Sequence, residues 1–533
     1  MKIKFLALAM IAMLFTACKP DPQTEGGEGS DPNKGEIENS YIAISIASAD
    51  KNRSGDGFDE GSEAERAVES AYVFFFTDGA PFIGATNPNN YQKIGVDSLN
   101  FEPSSTGGNV SDYSQKVLVI RNYKGELPNQ MVAVLNWDPT EQPTYTLEEL
   151  QGKLVDYTNK INNTDYFIMS NSVYKNAAGD VYATPLAITD FKKSVTDAKA
   201  NPVQVYVERV AAKVFVNTTE AYDPTNHKFA LLRKGGGDLK INGEQVYAKI
   251  LGWELYNENT QSNLLKDIEG LPAHNDNTTL GFYWNDANKH RSYWAAPTEE
   301  PTDVIDYDAI TTYPDYLYCG ENTSAKNTKV ILKAQLQYEE GQPMEVAKWY
   351  GNDYVGREQL VNAVRGTLVS KYYSRTIGDN ADTTYTSIQY EDLMIVNGTG
   401  SDAELYQVYF QLKTDATGYG EDKVWCERSG SKFTTIDKAK LNNDIKTTIG
   451  TALLYPSGET YYFTDIKHFG DKKGVVRNHV YDINIRTISG YGTPVISDIV
   501  IPNPEIPVED QETFVSAQIN ILSWKIVENN VDL

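Results

Sequence analysis

Residues 511–533 read QETFVSAQINILSWKIVENNVDL, and the spacing of apolar positions in that stretch decides how the rest of the chain is read. Val515, Ala517, Ile519 and Ile521 alternate with Ser516, Gln518 and Asn520, so an extended strand here is apolar on one side and polar on the other. After Ile521 the phase flips. Leu522, Trp524 and Ile526 then carry the apolar side while Ser523 and Lys525 alternate with them, which predicts a bulge or a segment serving two surfaces in succession. Ahead of it, Pro494, Pro502, Pro504 and Pro507 favour an extended tether, and at about 3 Å per residue the span from Pro494 to Gln511 reaches on the order of 50 Å. A compact body of this length has a radius of gyration of roughly 23 Å, so the terminal strand reaches a neighbouring molecule as readily as its own.

A second strand of the same kind stands alone near the other end. Tyr41 to Ala49 sets Ile42, Ile44 and Ile46 against Ala43, Ser45 and Ala47, one wide apolar ridge with a two-residue period. Between this ridge and the body lies DKNRSGDGFDEGSEAE, Asp50 to Glu65, with Gly55, Gly57 and Gly61 and almost no apolar side chain. Such a loop leaves Arg53 open to a protease, although composition by itself describes Arg53 equally well as one solvated charge in a linker. Lys19 to Asn39 is rich in Pro, Gly, Asp and Glu and lacks the apolar surface that offsets ordering entropy, which predicts a flexible stalk. Lys2 and Lys4 precede the apolar run Phe5 to Phe15, and Thr16 and Ala17 lead into Cys18, the layout of a secretory signal peptide whose apolar run is too short to span a bilayer. The sequence FTAC resembles a bacterial lipobox, with Phe15 where Leu is usual, and implies lipidation of Cys18. Cys319 and Cys426 then remain, paired or free.

Beyond Ala67 the pattern is dominantly β. AYVFFF, KVLVIRNY, QMVAVLNW, DYFIMSNSVY and PVQVYVERVAAKVFV are short β-branched and aromatic runs separated by Gly, Pro, Asn and Asp, as in sandwiches. Two helices are predicted: one at Thr146, where Thr146 and Glu149 form a capping box and Leu147, Leu150 and Leu154 share a face, and one from Arg357 to Leu368. The length supports two domains, with a break near Pro202. The predicted divisions are 1–18 for the signal peptide, 19–53 for stalk and removable strand, 54–201 and 202–493 for two β-domains, and 494–533 for tether and terminal strand.

The formal net charge of −25, from 48 basic and 73 acidic residues, opposes nucleic-acid or anionic-membrane binding through charge. His227, His274, His290, His468 and His479 form no HExxH or other close metal-ligand pair, there is no GxSxG elbow, and no Gly-rich loop opens a helix. TDVIDYD matches no calcium-loop spacing. His479 lies near Arg477 and Asp482, but on an alternating strand His479 and Asp482 face opposite sides, which favours a structural role. No enzyme activity, cofactor or metal is expected. The 35 tyrosines are compatible with a glycan site and are also ordinary strand residues.

VVRNHVYDINIRTISGYGTP from Val475, the terminal stretch down to Val531, Asp532 and Leu533, YVERVAAKV from Tyr206, NKHRSYWA from Asn288 and NR followed by SGDG at Arg53 together resemble the Bacteroidales type V pilin family, in particular its short-fimbria shaft subunits. The acidic residues after Cys18 are similar to the surface-export tether of Bacteroidales lipoproteins. The resemblance implies an all-β chain with a few short helices, built as two tandem transthyretin-like β-sandwich domains with exchangeable N- and C-terminal strands. It further implies an outer-membrane lipoprotein precursor that an arginine-directed protease cuts between Arg53 and Ser54. Cleavage removes the strand bearing Ile42, Ile44 and Ile46, and the strand bearing Val515, Ala517, Ile519, Ile521, Leu522, Trp524 and Ile526 is donated to the next subunit of an extracellular fimbrium. The partners so implied are further copies of the chain, anchor and tip subunits, the protease and an unspecified surface receptor. Ser54 stands where the family commonly has Ala, so Arg66 followed by Ala67 is a rival cleavage point. A tip or accessory subunit, or a monomeric glycan-binding surface lipoprotein, are the alternative readings.

Overall fold

The structure is a computed structural model and describes residues 37–48, 61–495, 514–522 and 526–529, excepting 84–88, 95–101, 104–111, 124–126, 173, 177–178, 182, 269–294, 296–297, 302–308, 378–381, 399–406, 415–422 and 469–471. Cys18, Arg53, Ser54 and Trp524 lie outside the described residues. The chain is mostly β-sheet with a few short helices.

AYVFFF becomes the strand Ala71–Thr77, buried from Ala71 to Phe76. Because side chains alternate, Ala71, Val73 and Phe75 enter one core and Tyr72, Phe74 and Phe76 another. Its sheet runs in the order Ala80–Pro81, Ala71–Thr77, Gln130–Leu135, Met169–Asn171, Val203–Arg209, Ile37–Ser48, Asp112–Tyr123, Glu102–Pro103. One core takes Val73 and Ala133 from one end of that order and Ile42 and Leu118 from the other, so the sheet folds over on itself. The opposite face is closed by the helix Leu147–Gln151 and by Leu264 and Leu265. The capping box of Thr146 and Glu149 is present, with Leu147 and Leu150 buried. Leu154 does not continue that face: it begins the strand Leu154–Asp156 and is 46% exposed, because the helix ends at Gly152.

PVQVYVERVAAKVFV crosses from one body to the next. Val203–Arg209 pairs within the first sheet, while Ala211–Asn217 pairs with Leu317–Gly320 and Val480–Ser489 in another. The change of sheet falls at Val210, with Val205 and Val207 entering one core and Ala212, Val214 and Val216 the other. The second body is a sandwich. One sheet holds Leu317–Gly320, Ala211–Asn217, Val480–Ser489, Phe514–Leu522 and Ile526–Asn529; the other holds Lys228–Ala230, Tyr247–Tyr256, Lys329–Gln337, Glu459–Asp465 and Thr493–Pro494. Val214, Ile483 and Ile485 from the first meet Ile250, Leu332 and Tyr462 from the second in one core. Pro494 is thus a buried sheet residue on an edge strand, where the missing N–H costs nothing, and the body extends one residue past the expected boundary at 493.

An inserted unit between Lys329–Gln337 and Glu459–Asp465 departs from the expected single domain. Its two sheets and the helices Gly356–Leu368 and Lys438–Ile449 enclose a separate core that includes Leu360, Val364, Phe410, Trp425, Leu441 and Ile445. Gly356–Leu368 buries Leu360, Val361, Val364 and Leu368 at the expected helical spacing. Lys438–Ile449, capped by Asp437, buries Leu441, Ile445 and Ile449 four residues apart, a signal present in the sequence.

The two bodies meet over buried charge. Arg477 is fully buried; its Nε and Nη2 donate to Glu321 Oε2 at 3.2 and 3.1 Å, and its Nη1 and Nη2 donate to the carbonyls of Leu264 and Asn263 at 3.2 and 2.6 Å. Beside them, Lys266 lies 3.2 Å from Glu208, both fully buried, and burial pushes the Glu208 carboxyl above its ordinary value. Glu208 belongs to the first sheet and Lys266 follows Leu264 and Leu265, which pack in the first body's core, while Arg477 and Glu321 come from the second body. Arg477→Met should lower unfolding stability by about 3–5 kcal/mol by leaving Glu321 buried and unpaired, and Arg477→Met with Glu321→Leu should recover most of that loss. Denaturant midpoints of the two variants check this; an equal loss in both would mean that packing rather than charge pairing sets the cost.

Candidate strand-exchange site

The strand Ile37–Ser48 has a neighbour on each side. Ile37 to Ala47 pair antiparallel with Tyr123 to Tyr113, and Ile44 to Ser48 pair parallel with Val203 to Val207. Ile42 is fully buried and packs in the core that holds Leu118, Val205 and Val207. Positions 44 and 46, on the same side by the two-residue period, stand opposite Val203 and Val205. Neighbouring strands lie about 4.8 Å apart, so Asp112–Tyr123 and Val203–Arg209 are separated by roughly 10 Å, one strand's width. The strand is continuous with the body only through residues 49–60, which include Arg53 and Ser54 and lie outside the described residues.

The chain downstream of that link is fixed firmly. Gly61, at φ +74°, turns so tightly that a Cβ there would come within 2.7 Å of Glu65 Oε2. Ser62 and Glu65 form a capping box on the one-turn helix Glu63–Arg66. Glu65 is buried; Lys213 Nζ lies 2.7 Å from its Oε1, the Tyr318 hydroxyl donates to the same oxygen, and Arg209 Nε donates to its carbonyl at 2.6 Å. Lys213 in turn sits over the Tyr316 ring at 4.0 Å. Burial pushes the Glu65 carboxyl up, but the bonds from Lys213, Tyr318 and the Ser62 backbone outweigh it and hold the group below its ordinary value. Its contribution is therefore full above the ordinary carboxylate range and lost as pH falls below it through the group's lowered value. Past Arg66, Asn136 accepts from the N–H of Glu69 at 2.7 Å and donates to the carbonyl of Ala67 at 2.8 Å. A protease needs several residues of free extended backbone, and Arg66–Ala67 offers none.

The terminal strand is docked on its own body. Phe514–Leu522 pairs antiparallel with Val480–Ser489, and positions 515, 517, 519 and 521 stand opposite Ile488, Ile485, Ile483 and Tyr481, all fully buried. Gln518 stands opposite the half-buried Asn484. The bulge lies in the partner strand, between Ile485 and Thr487. The phase flip after Ile521 corresponds to a reversal: Ile526–Asn529 returns antiparallel along Phe514–Leu522, with Leu522 opposite Ile526. Directly opposed positions share a face, so positions 522 and 526 lie on the face of 518 and 520, opposite that of 521 and 527, and the hairpin presents apolar positions to two surfaces.

Cys319 and Cys426 are both free and buried, one in the second sandwich and one in the inserted unit. His479 is buried with Nδ1 2.8 Å from the Arg477 carbonyl, whereas Asp482 bonds Asn217 on the other side of the strand. Among the described residues no group of three or more His, Cys, Asp or Glu is placed to hold a metal ion, and no helix is long and apolar enough to cross a membrane. A cleft of about 540 Å³ between Leu154 and Gln261 is lined by amides, hydroxyls and carboxylates, Glu258 and Asp267 among them. What sequence reasoning missed is the anchor at Glu65; its signal was the capping-box pattern SEAE at Ser62.

Ile37–Ser48 thus lies between two strands that do not pair with each other, and the terminal hairpin lies on a sheet edge. Residues 454–530 match the family model of the type IV major fimbrial subunit protein, fimbrillin, C-terminal region, a span that includes Val480–Ser489 and the terminal hairpin. No curated protein matches the chain. Among solved structures, a fimbrial assembly protein from Parabacteroides distasonis is 13% identical with a TM-score of 0.32, over 74% of this chain and 100% of its own. The tip fimbrial protein from Porphyromonas gingivalis, in a C-terminally truncated form, is 12% identical with a TM-score of 0.30, over 90% of this chain and 99% of its own.

The anchor yields a direct expectation. An arginine-specific protease should cut the intact chain upstream of Gly61 and leave Arg66–Ala67 whole, while Glu65→Ala should raise cleavage at Arg66 about tenfold or more. N-terminal sequencing of timed digests reads both sites, and rapid cutting at Arg66 in the unaltered chain would refute the assignment.

Proposed function

We propose that this chain is a structural subunit of a cell-surface fimbria, most simply its polymerising shaft component, with its two main bodies as transthyretin-like domains. The observation that carries the reading is the seat of Ile37–Ser48 between Asp112–Tyr123 and Val203–Arg209, together with its position upstream of Arg53. The match of residues 454–530 to the fimbrillin model supports the same class at the other end. In this reading Cys18 is lipidated and holds the precursor at the outer membrane. An arginine-directed protease cuts between Arg53 and Ser54, the strand leaves, and the slot accepts Phe514–Leu522 of another copy by main-chain pairing.

Near-balance is the physical point. In its own sheet Phe514–Leu522 pairs at nine positions on one side and four on the other, while the slot gives Ile37–Ser48 eleven and five. Full burial of the six large apolar side chains of the terminal segment is worth about 10–15 kcal/mol, and ordering its backbone costs a comparable amount. Neither term favours one seat strongly. Direction comes from proteolysis, which removes the intramolecular competitor for the slot.

Arg53→Ala precursor should remain monomeric, whereas mixed cleaved subunits should give ladders of oligomers on mildly denaturing gels. Ile519→Asp places a carboxylate opposite Ile483 in the resting state and in the apolar slot after donation, and should abolish laddering; Gln518→Asp should be tolerated. Normal polymerisation of Arg53→Ala with a mature N-terminus at Ala67 would overturn the cleavage assignment, and ladders unaffected by Ile519→Asp would leave an anchored monomeric binder as the better account. Separately, Cys18→Ala should stop the precursor partitioning into detergent and reduce surface filament yield; unchanged partitioning would reject the lipid anchor.

A further inference from the structure

The outer face of the four-stranded sheet in the inserted unit gathers aromatic and basic side chains. The strand order there is Thr383–Ser387, Tyr372–Ile377, Val424–Ser429, Lys432–Thr435. Directly opposed residues of antiparallel strands share a face. Tyr385 stands opposite Arg375, Thr383 opposite Ile377, Tyr373 opposite Cys426, and Arg428 opposite Phe433. The other face carries Tyr372 and Trp425 into the unit's core. The outer face thus presents three aromatic rings and two arginines, and none of its strand positions is Asp or Glu, in a chain with 73 acidic residues and a net charge of −25.

The aromatic side chains are organised. Tyr385 and Phe433 stack with centroids 3.9 Å apart and planes 10° from parallel, and Tyr373 meets Phe433 edge-on at 5.0 Å. Arg428 donates to the Tyr373 hydroxyl at 3.1 Å and to the Gly430 carbonyl at 2.9 Å, and its guanidinium lies 5.9 Å from the Tyr373 and Phe433 centroids. Arg375 Nε is buried with no hydrogen-bond partner, and among the described residues no carboxylate pairs with Arg375 or Arg428. The face is open, with Tyr385 36% and Ile377 62% exposed.

We propose that this face binds a carboxylate-bearing sugar. Aromatic rings attract the C–H face of a sugar through their negative π-faces, tyrosine, Thr383 and Ser387 hydroxyls suit its hydroxyl groups, and a guanidinium suits its carboxylate. Size argues against a folded partner: a fully buried aromatic side chain contributes about 150–250 Å², so three partly covered rings fall short of the roughly 800 Å² per partner of a stable protein interface. Charge argues against a long polyanion, which the field of the whole chain repels. The assignment does not depend on the fimbrial reading.

The test is saturation-transfer NMR and calorimetric titration of the full chain with sodium glucuronate, glucose and a tetraglutamate peptide. Glucuronate should bind at least tenfold more tightly than the other two, and Arg375→Gln and Phe433→Ala should each weaken it at least tenfold, Arg375→Gln without change in the thermal unfolding midpoint. Equal binding of glucose, or retained glucuronate binding in Arg375→Gln, overturns the proposal. Tetraglutamate binding as tight as glucuronate overturns it in favour of an acidic peptide ligand.

Discussion

Asp112–Tyr123 and Val203–Arg209 are not paired with each other; each is hydrogen-bonded to Ile37–Ser48. Buried backbone N–H and C=O groups must find partners, so the first body is complete only while some strand occupies that place. Ile42 adds a side-chain requirement, since it fills a core shared with Leu118 and Val205. The occupant is replaceable in principle because it is covalently continuous with the body only through residues 49–60. Everything proposed for the chain's assembly rests on an interior strand joined to its body by a single link of chain.

The same sheet is wired to the other end of the molecule. The slot-lining strand Val203–Arg209 continues through Val210 into Ala211–Asn217, which pairs with Val480–Ser489, which pairs with Phe514–Leu522. Glu65, Lys213 and Tyr318 lock the start of the fixed chain onto that crossing, and Arg477 with Glu321 holds the facing loops. A buried network of this kind is weak evidence for stability and better evidence for a single arrangement, because any other placement leaves a charge unpaired. The slot and the docked terminal strand therefore keep a fixed relation along one hydrogen-bonded path.

Much of this was legible in the sequence. The strands at Ile37–Ser48 and Phe514–Leu522, the all-β pattern and the helix at Arg357–Leu368 follow from spacing alone, because side-chain direction along a strand or helix is a local property. The parallel pairing of Ile44–Ser48 with Val203–Val207 was not legible, since register between segments far apart in sequence depends on the whole sheet. Val210 was missed as a sheet boundary because nothing in an apolar run announces which of two cores each residue enters. Pro494 misled for a similar reason: a proline reads as tether, yet an edge strand accepts it. The inserted unit was hidden because its short strands resemble those around it, and the arginine and aromatic residues of its outer face converge only through strand pairing.

The most direct measurement is backbone hydrogen exchange at residues 112–123 and 203–209, followed through the precursor, the protease-cleaved monomer and the polymer. The account predicts protection in the precursor, loss of protection in both segments after cleavage, and its return on polymerisation. Protection that survives removal of Ile37–Ser48, or that does not return in the polymer, would contradict it.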